Sequence, residues 1–209
     1  MHIPVRDFHS RGRGSQVVTR CPSCGHQGTF DRVGVEDLHV IPYRLGQRRC
    51  PNPQCHGHIF FVFHDNDLVR TYPALRIDFS KEKIPAGILA TFEEALICHA
   101  EECYVASAIM IRRTLEEICR DREASGKTLV DRIKALRSKV VLPEELFAAM
   151  NEIRLLGNDA AHVESRDYEN VGRAEIEAAI EVTKEILKAT YQLSDLVARL
   201  RALKAKPAT

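Results

Sequence analysis

The chain has 209 residues and a mass of 23.6 kDa, with 44% hydrophobic residues and 30 basic residues against 29 acidic ones. A chain of this size buries roughly 70% of its unfolded surface, so a real core forms, and collagen-like and disordered classes are excluded. The longest apolar stretches, 59–63 and 105–111 (the latter broken by Ser107), fall far short of the ~20 residues needed to span a bilayer. Pro4, Arg6 and Asp7 stand where a secretory signal has its apolar run. The expectation is a soluble, cytoplasmic protein with no membrane partner.

Charge is unevenly spread. Residues 1–80 contain ten Arg and no Lys against seven acidic residues, a balance of +3, whereas 81–209 hold 20 basic and 22 acidic residues. Arg6, Arg11, Arg13 and Arg20, with interleaved glycines, suit phosphate contact because guanidinium forks match phosphate oxygens. The alternative is a solvated tail that keeps the protein soluble.

In chain order, short β-like runs at 16–20, 28–33, 38–41, 58–64 and 68–72 are bounded by turn formers such as Pro22-Ser23, Pro42, Asn52-Pro53 and Asp65-Asn66. None is long enough to build a core with the others unaided. Residues 72–83, with Pro73 and several charges, read as a linker. From 84 onward glycine and proline become scarce and the apolar period becomes helical. Pro85 opens a stripe of Ile88, Phe92, Leu96 and His99, and a second stripe runs from Val105 to Cys119, with its stop at Gly126. Thr128-x-x-Asp131 reads as a capping box for a short helix through Ile133 and Leu136. Pro143 starts a fourth helix, and 173–204 reads as one long amphipathic run of roughly 48 Å, whose end protrudes or packs on a partner.

Seven cysteines divide into two groups. Cys98, Cys103 and Cys119 fall within helical pattern and read as small buried hydrophobes. Cys21-Pro-Ser-Cys24 and Cys50-Pro-Asn-Pro-Gln-Cys55 have the spacing of two knuckles that together offer four thiolates to a structural Zn²⁺. Two disulfides would need an oxidising compartment, and His26, His56 or His58 stands near enough to replace one cysteine. A four-thiolate site is closed: it stabilises, and metal binding energy becomes folding energy.

Within 151–162, Arg154, Asn158 and His162 are spaced four apart, so on a helix they form one polar stripe roughly 12 Å long. An imidazole can take or give a proton near pH 7, an amide can orient it, and a guanidinium can stabilise developing negative charge. The alternative is a helix-surface histidine with Arg154 paired to a carboxylate. Gly157 costs about 1 kcal/mol against Ala in mid-helix, which close approach by a ligand or another helix would explain. Arg112, Arg113, Glu116 and Glu117 permit i,i+4 ion pairs that organise the helices or sit beside the stripe.

Four segments carry a family resemblance: Ile84-Pro85 with Glu93-Glu94-Ala95; Ile111-Arg112-Arg113-Thr114-Leu115-Glu116; Leu129-x-x-Arg132-Ile133-x-x-Leu136; and Ile153 through His162. Over roughly 84–195 the chain resembles the HEPN superfamily of helical bundles, and within it a bacterial domain of unknown function often preceded by a zinc ribbon. The resemblance implies a mainly α fold: an HEPN-like antiparallel helical bundle at 84–205, preceded by a small β-rich zinc ribbon at 1–80. It also implies a metal-independent ribonuclease, in which two protomers share a cleft, from a prokaryotic defence, toxin or RNA-processing context. The family signature is an Arg, a polar residue, three others and a His. His162 falls on the histidine and Asn158 on the polar position, while Gly157 occupies the arginine position. Arg154 is the candidate replacement, with Arg112, Arg113 and Asp159 as candidate substrate-binding residues. The expected partners are a second copy of the chain and RNA. The rival expectation is a non-catalytic module of a defence or restriction system that binds nucleic acid, a nucleotide or a protein.

Overall fold

The structure is a computed structural model that describes residues 10–12, 16–34, 36–161 and 171–204. The chain divides into two compact units, residues 1–78 and 79–209.

The first unit is an antiparallel sheet of seven strands: β1 (Ser10–Gly12), β2 (Val17–Arg20), β3 (Gln27–Arg32), β4 (Asp37–Val40), β5 (Tyr43–Arg49), β6 (His58–His64) and β7 (Asp67–Tyr72). β5 is its centre. One edge pairs with β6 along its whole length; the other pairs with β4 at Tyr43–Leu45 and with β3 at Arg48 and Arg49. In β6 the period of two sends Ile59 and Phe61 inward and leaves Phe60 and His58 exposed. Ile59 and Phe61 join Val17, Cys21, Phe30 and Cys50 in one buried cluster.

Beside that cluster the sheet buries charge. Arg48 donates from both terminal nitrogens to the two carboxylate oxygens of Asp37 at 2.7 Å, and Arg44 adds a third bond at 3.2 Å. Both guanidinium groups lie over aromatic faces, Arg48 at 4.8 Å from the centre of the Phe61 ring and Arg44 at 4.4 Å from that of Phe63. Gly46 makes room for this arrangement. A methyl group there would collide with Asp37 Oδ1 and lie 2.7 Å from Phe61 Cζ.

These observations correct the expected fold class. About half of the described chain is helical and about a fifth is strand, and the cysteine-rich half is a seven-stranded sheet with its own core rather than a small ribbon on a mainly α protein. The central strand β5 is missing from the sequence reading, because Arg44 and Arg48 make its inward positions look polar.

The second unit contains α1 (Ala86–Ala100), α2 (Tyr104–Asp121), α3 (Leu129–Leu136), α4 (Glu144–Ala161), α5 (Arg173–Leu187) and α6 (Leu193–Lys204), with a π-helical turn at Lys188–Gln192. α2 packs on α1, α3, α4 and α5, burying Ala108, Ile111, Leu115 and Ile118 on its inner side. The Ser107 hydroxyl, also buried, donates to the Ala95 carbonyl at 2.9 Å and ties α2 to α1. The capping box holds: Thr128 Oγ1 accepts from the Asp131 amide at 3.2 Å, while Asp131 Oδ2 accepts from the Thr128 amide at 3.1 Å.

The expected long last helix is interrupted by the π turn, which delivers consecutive residues to different partners. The Tyr191 hydroxyl donates to Asp121 Oδ2 at 2.8 Å, and the Gln192 amide donates to the carbonyls of Ser80 and Glu82 at 2.9 and 3.0 Å. On α6, Leu193, Leu196, Val197 and Leu200 are exposed. The segment that reads as a linker is held at both ends. Arg20 bonds the Arg76 carbonyl and the Asp78 carboxylate within the sheet unit, and Gln192 holds residues 80 and 82 within the helical unit.

Removing the Asp37 carboxylate leaves a buried guanidinium without its counter-ion. Asp37→Ala is expected to lower the stability of the sheet unit by about 3–5 kcal/mol. Asp31→Ala, which breaks only an exposed pair with Arg49, is expected to cost less than about 1 kcal/mol. Urea unfolding of the two variants checks the contrast.

Candidate metal centre and interhelical polar site

The four cysteines of the two knuckles converge. Their sulfurs all lie within 4.8 Å of one another, with Cys21 Sγ 3.8 Å from Cys55 Sγ and Cys24 Sγ 3.7 Å from Cys50 Sγ. These separations are far beyond the ~2.05 Å of a disulfide, and all four thiols are free. Each knuckle is the turn of a hairpin, one between β2 and β3 and the other between β5 and β6. Cys21 donates its amide to the His26 carbonyl at 2.8 Å, and Cys50 donates its amide to the Gly57 carbonyl at 2.8 Å. Gly25 takes a φ of +74°, a left-handed conformation that suits glycine. Gly57 lies between the knuckles, where a methyl group would stand 3.2 Å from both Cys55 Sγ and Ser23 Oγ.

Backbone groups tune the sulfurs. The His26 amide, directed at the Cys24 sulfur, holds that thiol down at about 7, whereas burial pushes the Cys50 thiol up to about 12. The Gly57 amide donates to Cys55 Sγ at 3.4 Å and the Asn52 side-chain amide to Cys24 Sγ at 3.6 Å. This donor set can hold one metal ion. Cys21 and Cys50 also belong to the apolar core, so the sheet and the sulfur cluster stabilise each other. His58 is not in the cluster; its Nδ1 pairs with the Gln47 side chain at 2.8 Å.

Of the remaining cysteines only Cys119 is buried as expected, and burial pushes its thiol up to about 11; Cys98 is partly buried, and Cys103 is exposed between α1 and α2.

In the helical unit, Arg112 of α2 lies across α4 at Gly157. A methyl group on Gly157 would stand 2.6 Å from Arg112 Cβ and 2.8 Å from its Cδ, so the glycine lets the arginine stem run against bare backbone. The guanidinium then donates from Nη1 to Asn158 Oδ1 and to the Arg154 carbonyl, the latter at 3.1 Å, while its Nε donates to Glu116 Oε1 at 3.2 Å. Arg112 is 25% exposed, enough for solvent to reach it.

The structure therefore brings Arg112, Asn158 and Arg154 together. Arg154 Nε is buried with no hydrogen-bond partner among the described residues, and Asp159 is half-buried on the same helix. Arg113 is exposed on a different side of α2 and pairs with Glu117 at 3.3 Å. His162 lies outside the described residues, immediately after the last residue of α4. Arg6 and Arg13 also lie outside them, and only the backbone of Arg11 is described.

Residues 93–203, from the second half of α1 to α6, match the family model of a domain of unknown function, DUF4145. The chain belongs to the DUF4145 family. No curated protein and no solved structure matches it. The DUF4145 region contains Arg112, Arg154, Gly157 and Asn158, whereas the cysteine cluster precedes it. Among the described residues no helix is long and apolar enough to cross a membrane.

The sequence reading missed the exposed face of the sheet. Phe60 of β6 sits opposite Tyr72 of β7, both about half exposed, and the Arg70 guanidinium lies 5.6 Å from the centre of the Tyr72 ring. The signal was present: Phe60 stands out of phase with Ile59 and Phe61, and Tyr72 alternates with Arg70.

Two outcomes follow. The purified protein is expected to carry one metal ion per chain, and Cys50→Ser is expected to lose it together with the sheet's stability, measured by elemental analysis and circular dichroism. Gly157→Ala is expected to destabilise the helical unit by about 1–3 kcal/mol through overpacking against Arg112. This reverses the roughly 1 kcal/mol gain that helix propensity alone predicts, and thermal unfolding gives the sign.

Proposed function

We propose that the helical unit is an HEPN-type, metal-independent ribonuclease acting as a homodimer, and that the sheet unit is a zinc-stapled surface that holds its RNA. The observation that carries this reading is the seating of Arg112 over Gly157. The HEPN signature places an arginine beside its polar residue. Here that position is bare backbone, and an arginine from the neighbouring helix fills the space and bonds the polar residue, Asn158. The guanidinium–carboxamide pair is thus assembled from two helices instead of one.

Zinc fits the sulfur cluster. Four thiolates about 2.3 Å from a tetrahedral ion are spaced about 3.8 Å apart, which agrees with the 3.7 and 3.8 Å separations of the sulfur pairs. Cys21, Cys24, Cys50 and Cys55 would hold the ion, and with all four positions taken by protein its part is to cross-link the hairpins. On the sheet's outer face, Phe60 and Tyr72 offer ring surfaces to unpaired bases, and Arg70 and Arg49 offer cations to the backbone.

In the proposed chemistry the His162 imidazole takes the proton of a ribose 2′-hydroxyl. The freed oxygen attacks the adjacent phosphorus, the bond to the 5′-oxygen breaks, and the imidazolium returns a proton to that leaving oxygen. Arg112 and Arg154 stabilise the charge that accumulates on the phosphorus oxygens, while Asn158 orients Arg112. A homodimer places two such sets in one cleft.

One observation favours a second reading. Arg112 is already shared among Asn158, Glu116 and the Arg154 carbonyl, as an interhelical clamp in a non-catalytic binding module would be. RNA incubated with the protein in EDTA separates the two, with retained zinc checked in parallel. Cleavage is expected to persist, to fall at least about a hundredfold in His162→Ala and to fall about tenfold in Arg112→Lys, which keeps the charge but not the fork. RNA binding without cleavage in the native protein would decide for the module, and a concentration-independent monomer in sedimentation would count against the shared cleft.

A further inference from the structure

At the other end of α2 from its junction with α1, the helix, the loop after it and the start of α3 enclose an open cavity of about 610 Å³. Three arginines line it: Arg113 and Arg120, seven residues apart and so on one side of α2, and Arg132 on α3. Three glutamates line it as well, and they are unequally available. Glu117 uses one carboxylate oxygen on Arg113 Nε at 3.3 Å and the other on the Thr91 hydroxyl at 2.9 Å. Glu116 uses Oε1 on Arg112, which does not line the cavity. Glu123, exposed just after α2, has no such bond among the described residues.

The arginines are not spent in the same way. Arg120 makes no side-chain hydrogen bond or ion pair with any described residue. Arg132 donates its Nε to the Gly126 carbonyl at 3.1 Å, which fixes the plane of the guanidinium, while its two terminal nitrogens bond no described residue. Gly126 makes that anchor possible. A methyl group there would stand 2.6 Å from Asp131 Cβ and 2.8 Å from the Arg132 amide nitrogen, so only glycine lets the loop close onto the first turn of α3. Among the described residues Arg113 uses only its Nε, on Glu117, and its terminal nitrogens bond none of them.

The geometry points to a binding site for a phosphomonoester in this cavity, its dianionic phosphoryl group held by Arg113, Arg120 and Arg132. Three guanidinium forks offer six terminal donors, which match the three terminal oxygens of a phosphomonoester better than the two oxygens of a carboxylate. The lining holds three guanidinium groups and three carboxylates, but Glu117 is paired with Arg113 and Glu116 with Arg112, so Arg120 and Arg132 face only the carboxylate of Glu123. The cavity volume accepts a ligand of nucleotide size. The phosphate comes either from a small metabolite or from the 5′ end of an RNA. The site stands whether or not His162 cleaves RNA.

Isothermal titration of the full chain with inorganic phosphate, adenosine 5′-monophosphate and adenosine tests this, with a short RNA carrying either a 5′-phosphate or a 5′-hydroxyl as the second arm. The expected result is binding of the phosphorylated probes over their unphosphorylated counterparts, weakening with salt. Arg120→Gln is expected to weaken it at least about tenfold with an unchanged melting temperature, because its side chain holds nothing in the fold. Lys134→Gln, exposed on α3 outside the cavity, is expected to leave binding unchanged. A higher affinity for the monophosphate assigns the site to a small molecule, and a higher affinity for the phosphorylated RNA assigns it to an RNA end. Equal binding of adenosine and its monophosphate, equal loss in the two variants, or no binding at millimolar concentration of any phosphorylated probe overturns the proposal.

Discussion

The approach of Arg112 to the bare backbone at Gly157 sets the arrangement of the candidate catalytic helix. Any side chain at that position would push α2 and α4 apart, and Arg112 could not then reach Asn158 Oδ1 and the Arg154 carbonyl together. A cation in this setting is partly desolvated and held by three acceptors from two helices, which makes its position far more definite than that of an arginine on a helix surface. Glu116, one turn further along α2, completes the hold on the same guanidinium. Packing and polar chemistry meet here in a single residue: the stem of Arg112 fills the groove, and its head supplies the charge.

The sheet unit solves a different problem. Seven short strands cannot bury enough apolar surface to order themselves cheaply, and two devices compensate. The hairpin turns bring four sulfurs into one cluster, two of them inside the apolar core. The second device is ionic. Asp37 and Arg48 form a buried, bidentate pair over the Phe61 ring, with Arg44 closing its open side. A buried pair contributes little net stability over an apolar substitute. Its geometry is exacting, however, and it ties β4 to β5 at one register, since a slip by one residue would move both arginines to the outer face.

How much of this could be read from the residues depended on how closely each side chain's character matched its surroundings. The helical unit was legible because Ile88, Phe92 and Leu96, then Leu115 and Cys119, then Ile176, Ile180 and Thr183 recur at helical spacing and are buried as that spacing implies. The sulfur cluster was legible because one Cys-x-x-Cys pair and one pair with four residues between its cysteines leave few other arrangements. The central strand was not, because its inward residues are arginines whose burial depends on a carboxylate from another strand and on a glycine between them. Gly157 signalled a close approach, but not which element approached. Period alone also fails at the last helix, where the stripe continues unbroken in the sequence while its burial stops at residue 192.

That last break coincides with the π turn at Lys188–Gln192. In an α-helix each residue advances the side-chain direction by about 100°, and a π turn takes up one residue more than an α turn. The turn at Lys188–Gln192 therefore rotates everything beyond it by roughly that angle. Beyond that turn Leu193, Leu196, Val197 and Leu200 are exposed, whereas Ile176 and Ile180 before it are buried. Among the described residues, no side chain past Gln192 is buried, so α6 contributes no buried side chain of its own to the bundle.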